Sequence, residues 1–502
     1  MGQQIAQLIH GHQSFRQLRY KEKYPMVTTT RPTSLKAWAK AINQPPTEFG
    51  LTALPIISGA IPTGLRGSLY RNGPARLERG GERVGHWFDG DGAILSVHFM
   101  EARATATYRF VQTAGYQAEE KAGKWRFGGY GMTPPGPIWK RFTQGTKNAA
   151  NTSVLALPDK LLALWEGGQP HALDLQTLET FGLDDLGLGH HLSSYSAHPK
   201  RDPNTGTIYN FGVAYGKNAQ LHLYRSDRTG QIQQQAAIAL QGLPLIHDFV
   251  LAAQYLVFFI SPVRLNPLPV LVGLKSYSDA LSWQPNKGTQ ILVVDRDTLE
   301  VVSRGEAQPW YQWHFGNGYL DSHGSVIVNL VRYEDFQTNQ HLKEVATGQT
   351  QTAAKGTLWQ VRLDPKSGKL TELAQLLDRS CEFPSVAPAQ VGEFSRFTYL
   401  ALHRRGVDID QELLGAIARF DHQTGTLTEA DLGRERYPME PLYAADAENP
   451  QQGWVLTVVF DGNRDSSEVW IFDAEQLDAE PVCRLALPSV VPFGFHGTWQ
   501  AA

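Results

Sequence analysis

The chain has 502 residues, 42% of them hydrophobic, enough for a large core and for either several ordinary domains or one long all-β unit. A formal net charge of −3 excludes nucleic acid as a partner, because phosphate binding needs a clustered basic excess. Only two cysteines occur, Cys381 and Cys483, which excludes a disulfide framework or a cysteine zinc site and fits a reducing compartment.

The chain opens with "MGQQIAQLIHGHQSFRQLRY", which lacks the apolar core of a secretory signal. Gly2 invites myristoylation, but Ala6 stands where that motif wants Ser or Thr. Residues 1–50 are expected to form a segment with short helices. The best helix is "TSLKAWAKAIN" near Thr33, with a capping Thr or Ser and an apolar stripe. Residues 51–502 read as one all-β domain: Gly and Pro are scattered throughout, and the apolar runs are short, β-branched and bounded by turn residues. No run approaches the ~20 apolar residues of a membrane span, so a cytoplasmic protein, at most seated on a membrane surface, is expected.

One pattern recurs along this region. "HALDLQTLETFG", "LHLYRSDRTGQIQQQ", "ILVVDRDTLEVVSRGE", "LWQVRLDPKSGKLTEL", "GAIARFDHQTGTLTEA" and "VWIFDAEQLDAEPVCRLALP" each give a strand, an Asp-led polar turn and a second strand. A seventh hairpin without the Asp is "AILSVHFMEARATATYRFVQ". Seven such hairpins predict a seven-bladed β-propeller in which some loops are extended. In a propeller the outer hairpin of one blade leads into the innermost strand of the next. Between 18 and 24 residues after the marker aspartates (Asp174, Asp227, Asp295, Asp364, Asp421, Asp473) come His198, His247, His314, Glu382, Glu440 and His496. The seventh hairpin leads, through a long insertion, to Thr152 in "NAANTSVLAL". His190, His191, His222, His323 and His422 miss this position and receive no role.

Four imidazoles aimed at one axis suit Fe, Zn, Cu or Ni. Structural zinc is satisfied by four tetrahedral ligands; ligands spread around a seven-fold ring fit an octahedral iron with open positions better. Glu382 and Glu440, with Glu166 in "LLALWEGG", are candidates to accept the second ring N–H of the histidines, which fixes the tautomer and strengthens the ligand. Trp165, Trp313 and Phe383 adjoin these positions, as do Phe493 and Phe495, and predict an aromatic tunnel for a long apolar, conjugated substrate.

"LYRNGP", "HWFDGDGAI", "NTSV", "LLALWEGG", "SAHPKRDPNTG", "IHDF", "WHFGNGY", "CEFPSV" and "FGFHGTW" together resemble the carotenoid cleavage oxygenase family. The similarity runs from about Leu51 to the C-terminus, and is greatest to the cyanobacterial apocarotenoid 15,15′-oxygenases. The resemblance implies a seven-bladed propeller capped by a helical and loop dome, to which residues 1–50 contribute, and one non-haem Fe(II) per chain on its axis, held by His198, His247, His314 and His496 with Glu166, Glu382 and Glu440 as their partners. It implies that the Thr152 methyl leans over one open iron site, leaving another for O2. The implied reaction is insertion of O2 across one double bond of an apo-carotenal, giving two aldehydes, one of them retinal.

Family members dock on membranes by an apolar patch at the tunnel mouth. Ser261–Trp283 fits that role through Leu265, Leu268, Val270, Leu271, Val272 and Leu274, with Arg264 and Lys275 placed for lipid headgroups. No protein partner is inferred. Three other readings compete. A stilbene-cleaving dioxygenase of the same family would grip a phenol through Tyr130 and Lys140. A non-catalytic propeller scaffold would have no reason to aim histidines down its channel. A calcium-dependent propeller hydrolase would want oxygen ligands.

Overall fold

The computed structural model describes residues 35–502, apart from residues 142, 143, 193 and 450 and the side chains of Lys140 and His190. Seven antiparallel sheets stand around a common axis, as expected from the hairpin repeat. In chain order the second to sixth sheets begin with the strands Ser153–Ala156, Lys200–Arg201, Val250–Ala252, Phe315–Leu320 and Cys381–Ser385, and each has four strands. The first and seventh are larger. Phe49–Ala53 adds to the outer edge of the first, and Ile56–Gly59 to the outer edge of the seventh.

The ring closes between distant parts of the sequence. The C-terminal strand Gly497–Ala501 pairs with Gly67–Arg76, with Gly67 opposite Ala501 and Arg71 opposite Gly497. Its inner position in the first sheet is therefore filled from the far end of the chain.

The marker aspartates explain why the hairpins recur. Asp174, Asp227, Asp295, Asp364, Asp421 and Asp473 each accept a backbone N–H from the residue two further on, at 2.8–3.0 Å. This side-chain turn reverses the third strand into the fourth. The hairpin without Asp uses two left-handed residues instead, Glu101 and Ala102 (φ 51° and 55°), between Met100 and Arg103. Two positive φ values in a two-residue loop match the twist of the flanking strands.

The core follows from the ring. Seven apolar clusters each join neighbouring sheets, so every sheet is buried on both faces near the axis. Gly453–Asp461, a middle strand of the seventh sheet, is buried at all nine positions, whereas the outer strand Ile232–Ala239 alternates between exposed and covered positions, of which Ile238 alone is fully buried. An eighth cluster lies under the dome, where Trp38, Ala39, Ala41 and Ile42 pack against Trp87, Phe493 and Phe495.

Two expectations are corrected. The helix anticipated from Thr33 spans only Ala39–Asn43 among the described residues. Its N-cap is Trp38 with no side-chain cap, and Thr33 and Ser34 lie outside them. The apolar stripe survives because Trp38, Ala39, Ala41 and Ile42 are all buried. Arg264 does not face headgroups: it is 5% exposed, and its guanidinium donates to the carbonyls of Ser261 and Val263. The rest of the Tyr–Lys pair considered for a phenol cannot be placed, since the Lys140 side chain lies outside the described residues.

Candidate metal centre

Each of the seven innermost strands presents one residue at its axial end: Thr152, His198, His247, His314, Glu382, Glu440 and His496 in ring order. The sequence spacing brought these together without reference to any contact. The four histidines are buried, and one ring nitrogen from each lies within 4.8 Å of the others. The Nε2 atoms of His198 and His247 are 3.0 Å apart, those of His247 and His314 3.3 Å, and those of His314 and His496 3.0 Å.

In His247, His314 and His496 the opposite ring nitrogen is turned to a carboxylate. His314 Nδ1 donates to Glu382 Oε2 at 2.6 Å, and His496 Nδ1 to Glu440 Oε1 at 2.9 Å. Glu166 Oε1 stands 3.3 Å from His247 Nδ1 and 3.7 Å from His198 Nε2 and has no hydrogen bond. With Nδ1 protonated and held, Nε2 of His314 and His496 is left as a lone pair aimed inward.

The carboxylates are themselves fixed. Glu440 Oε2 accepts from Arg71 Nη1 at 3.1 Å and from the Gly497 amide at 2.9 Å. Glu382 Oε1 accepts from the Tyr333 hydroxyl at 3.0 Å. Asp248 accepts from Lys200 at 2.8 Å and from the Phe315 amide at 3.0 Å, tying the strand after His247 to those of His198 and His314. Sequence reasoning missed Arg71, Tyr333 and Asp248. Arg71 and Asp248 do sit in "LYRNGP" and "IHDF", but nothing in those strings says which carboxylate or amide they reach.

The electrostatics suit a cation. Burial, followed by repulsion from neighbouring imidazoles, holds His198 and His247 well below the ordinary histidine value, so both rings are neutral at pH 7. Burial also lowers His496, against the pull of Glu440. Burial would lower His314, but its pairing with Glu382, with Asp248 and Glu440 nearby, overcomes that and leaves it raised. Burial would raise Glu440, but His496, Arg71 and the Gly497 amide overcome it and hold the carboxyl low. Burial, with Asp248 nearby, pushes Glu166 well above the usual carboxylate range. His198, His247 and His496 are thus held towards the neutral form that a divalent transition metal takes as ligand, and a metal ion at the centre would displace a proton from His314 Nε2.

The backbone explains how a residue so near the C-terminus stays ordered. The His496 amide donates to Thr152 O at 3.3 Å, and its carbonyl accepts from the Asn72 amide at 2.9 Å. Gly494 allows the approach: a Cβ there would lie 2.7 Å from Asn72 O. The Thr152 hydroxyl donates to Asn151 Oδ1 at 3.1 Å.

Above the histidines opens a cavity of about 550 Å³, lined by Thr152, Glu166, Trp165, Trp313 and Phe383 among others. Trp313 stands edge-on to His247 with ring centroids 4.8 Å apart, and Phe383 stacks on His314 at 5.5 Å. Phe383 adopts a left-handed backbone (φ 55°), rare for an aromatic residue and found where function fixes a side chain. Phe88, Tyr130 and Tyr277, from three separate parts of the chain, extend the aromatic wall; the sequence marks Tyr130 only as a phenol-gripping residue.

Residues 42–501 match the family described as RPE65, retinal pigment epithelial membrane protein. The apocarotenoid-15,15′-oxygenase of Synechocystis is 32% identical over 483 residues, covering 93% of this chain and 97% of its own length. The resveratrol cleavage oxygenase 1 of Aspergillus fumigatus is 26% identical over 482 residues, covering 88% and 91%. A solved structure of cobalt-substituted Synechocystis apocarotenoid oxygenase is similar with a TM-score of 0.84 at 32% identity, covering 93% of this chain and 98% of that one. The chain thus belongs to the RPE65 family of carotenoid cleavage oxygenases.

Proposed function

We propose that the chain is a non-haem Fe(II) dioxygenase that cleaves the 15,15′ double bond of apo-carotenals with O2. The observation that carries this reading is the convergence of four buried Nε2 atoms under an aromatic cavity, backed by carboxylates on the far side of the rings. His198, His247, His314 and His496 would hold the iron, which supplies binding and activation of O2 when present. Glu382 and Glu440 keep Nδ1 of their histidines protonated and so present Nε2 as the donor atom, with Glu166 serving His247. Thr152 commits its hydroxyl to Asn151, which leaves its methyl as the group offered to the cavity.

The aromatic walls select the substrate. Trp313, Phe383 and Trp165 give flat apolar surfaces to a conjugated chain and exclude water from the reacting bond. In the overall reaction one C=C and one O2 become two C=O groups, one in retinal and one in a second aldehyde. Both oxygen atoms are used, and no external reductant is needed.

The same reading places the mouth of the cavity at a membrane. Val270, Leu271 and Lys275 line the cavity, and next to them Leu268, Leu271 and Leu274 are 63–69% exposed. Trp139, 71% exposed, joins this patch, since Arg141 donates to Gly273 O at 2.7 Å. Such a rim of bare aliphatic and indole groups suits insertion at a bilayer surface, where a carotenoid would be collected. Replacing Leu268, Leu271, Leu274 and Trp139 by Ser should abolish co-sedimentation with vesicles; undiminished binding would remove this part.

The test of the function is to give the anaerobically purified, iron-loaded chain an apo-carotenal and then O2. Retinal and a second aldehyde in equal amounts are expected. Cleavage of a hydroxystilbene instead would favour the phenolic branch of the family.

A further inference from the structure

The cavity has a second polar end, apart from the iron site. The helix Gln337–Val345 turns Thr338, His341, Leu342 and Val345 to the cavity, positions three and four apart and so on one face. Its opposite face is tied to the mouth: Asn339 donates to Ser278 at 2.9 Å and Lys343 pairs with Asp279 at 2.6 Å. His341 therefore lies on the side of the helix turned away from the mouth. Leu342, Val345 and Leu413 pack there with Trp87 and Phe493, making this limb apolar. Three polar side chains interrupt it, His341, Ser380 and His403, all more than nine-tenths buried.

Their hydrogen bonds fix which of them can give a proton. His341 Nδ1 lies 2.8 Å from Thr352 O; a carbonyl only accepts, so Nδ1 carries the proton and Nε2 is a lone pair. Nε2 has no partner among the described residues. His403 Nε2 lies 2.9 Å from Glu412 O and is protonated for the same reason. His403 Nδ1 is then an acceptor, and takes the hydroxyl proton of Ser380 at 2.9 Å. The Tyr437 hydroxyl nearby is also committed, to Glu412 at 3.0 Å. Burial keeps both rings neutral, with His403 lowered to about 4 and His341 below its ordinary value. Of these cavity-lining residues, His341 keeps a free acceptor in Nε2, while the Ser380 proton is committed to His403. An unfilled buried acceptor is costly, and a hydroxyl fills it where a hydrocarbon or an aldehyde oxygen does not.

We infer that this limb is a subsite for a hydroxyl on the end of the conjugated substrate that enters first, its one proton donated to His341 Nε2. The aldehyde of an apo-carotenal then trails at the mouth, and a hydroxylated terminal ring is preferred over a bare one. The inference rests on the dioxygenase reading above.

The experiment compares kcat/KM for two apo-carotenals that differ only in a ring hydroxyl, using the iron-loaded wild type and His341→Leu, with iron content measured in both. The wild type is expected to favour the hydroxylated substrate by about tenfold or more, as one satisfied buried acceptor implies. In His341→Leu that ratio should fall towards one through loss on the hydroxylated substrate. A wild-type ratio near one overturns the subsite while leaving the dioxygenase intact, and decides the matter even if the variant fails to fold. A ratio in His341→Leu equal to that of the wild type also overturns it. Cleavage of neither substrate by the iron-loaded wild type would sink the dioxygenase reading and the subsite with it.

Discussion

His496 shows how much rests on single side chains. Its ring closes the histidine cluster, its Nδ1 is held by Glu440, and its backbone is clamped between Asn72 and Thr152. His496→Ala and His247→Ala are expected to lose both bound metal and activity, read by metal analysis and product formation. Glu382→Gln keeps the shape but loses the charge behind His314, so metal affinity should fall by about 10–100-fold. An unchanged affinity would show that the 2.6 Å contact does no electrostatic work. Away from the site, His171 is buried in the second sheet with Nδ1 unpartnered, and burial lowers it to about 4. The unfolded chain takes up a proton near 6.5 that the folded chain refuses until about 4. Stability is therefore complete above pH 6.5 and drains away as pH falls towards 4. His171→Phe should flatten that slope in urea titrations by at most about 3 kcal/mol.

At the scale of elements, the hairpin turns divide into those built on a side chain and the one built on backbone alone. Asp227 holds Thr229 through its amide and hydroxyl at the surface of the third sheet. Asp227→Ala should cost about 1 kcal/mol of stability, measured by chemical denaturation, with metal content retained. Glu101 and Ala102 carry positive φ without glycine, so Asn-Gly in their place should gain about 1 kcal/mol. These aspartates are also why the architecture was legible. A turn that needs a particular side chain leaves a mark in the sequence, and the mark sets the phase of every inner strand. Six of the seven axial residues could be found from it because each follows its marker aspartate by 18 to 24 residues; Thr152, reached through a long insertion, is the exception. What could not be found depends on packing between distant loops. Arg71 reaches Glu440 from the far side of the ring closure, and Tyr333 reaches Glu382 from the neighbouring sheet. The short helix at Ala39–Asn43 differs from expectation for a like reason: its register is set by Trp38 sinking into the dome cluster, not by a polar cap.

For the molecule as a whole, ring closure and metal binding are one structure. The strand Gly497–Ala501 fills the inner edge of Gly67–Arg76, and the residue just before it is the last of the four histidines. Removing residues 497–502 should lower the melting temperature and release metal together, since an open ring has an unpaired inner strand and no fixed His496. The two cysteines are free and buried, so this closure owes nothing to a disulfide. Among the described residues no helix is long and apolar enough to cross a membrane, and Leu268, Leu271 and Leu274 stand exposed beside the cavity. The most direct test of the account is the metal content of the full chain purified without O2 and supplied with Fe(II). One iron per chain, falling to near zero in His247→Ala, is the predicted result. A chain that binds no iron, or a variant that keeps the full complement, would contradict it.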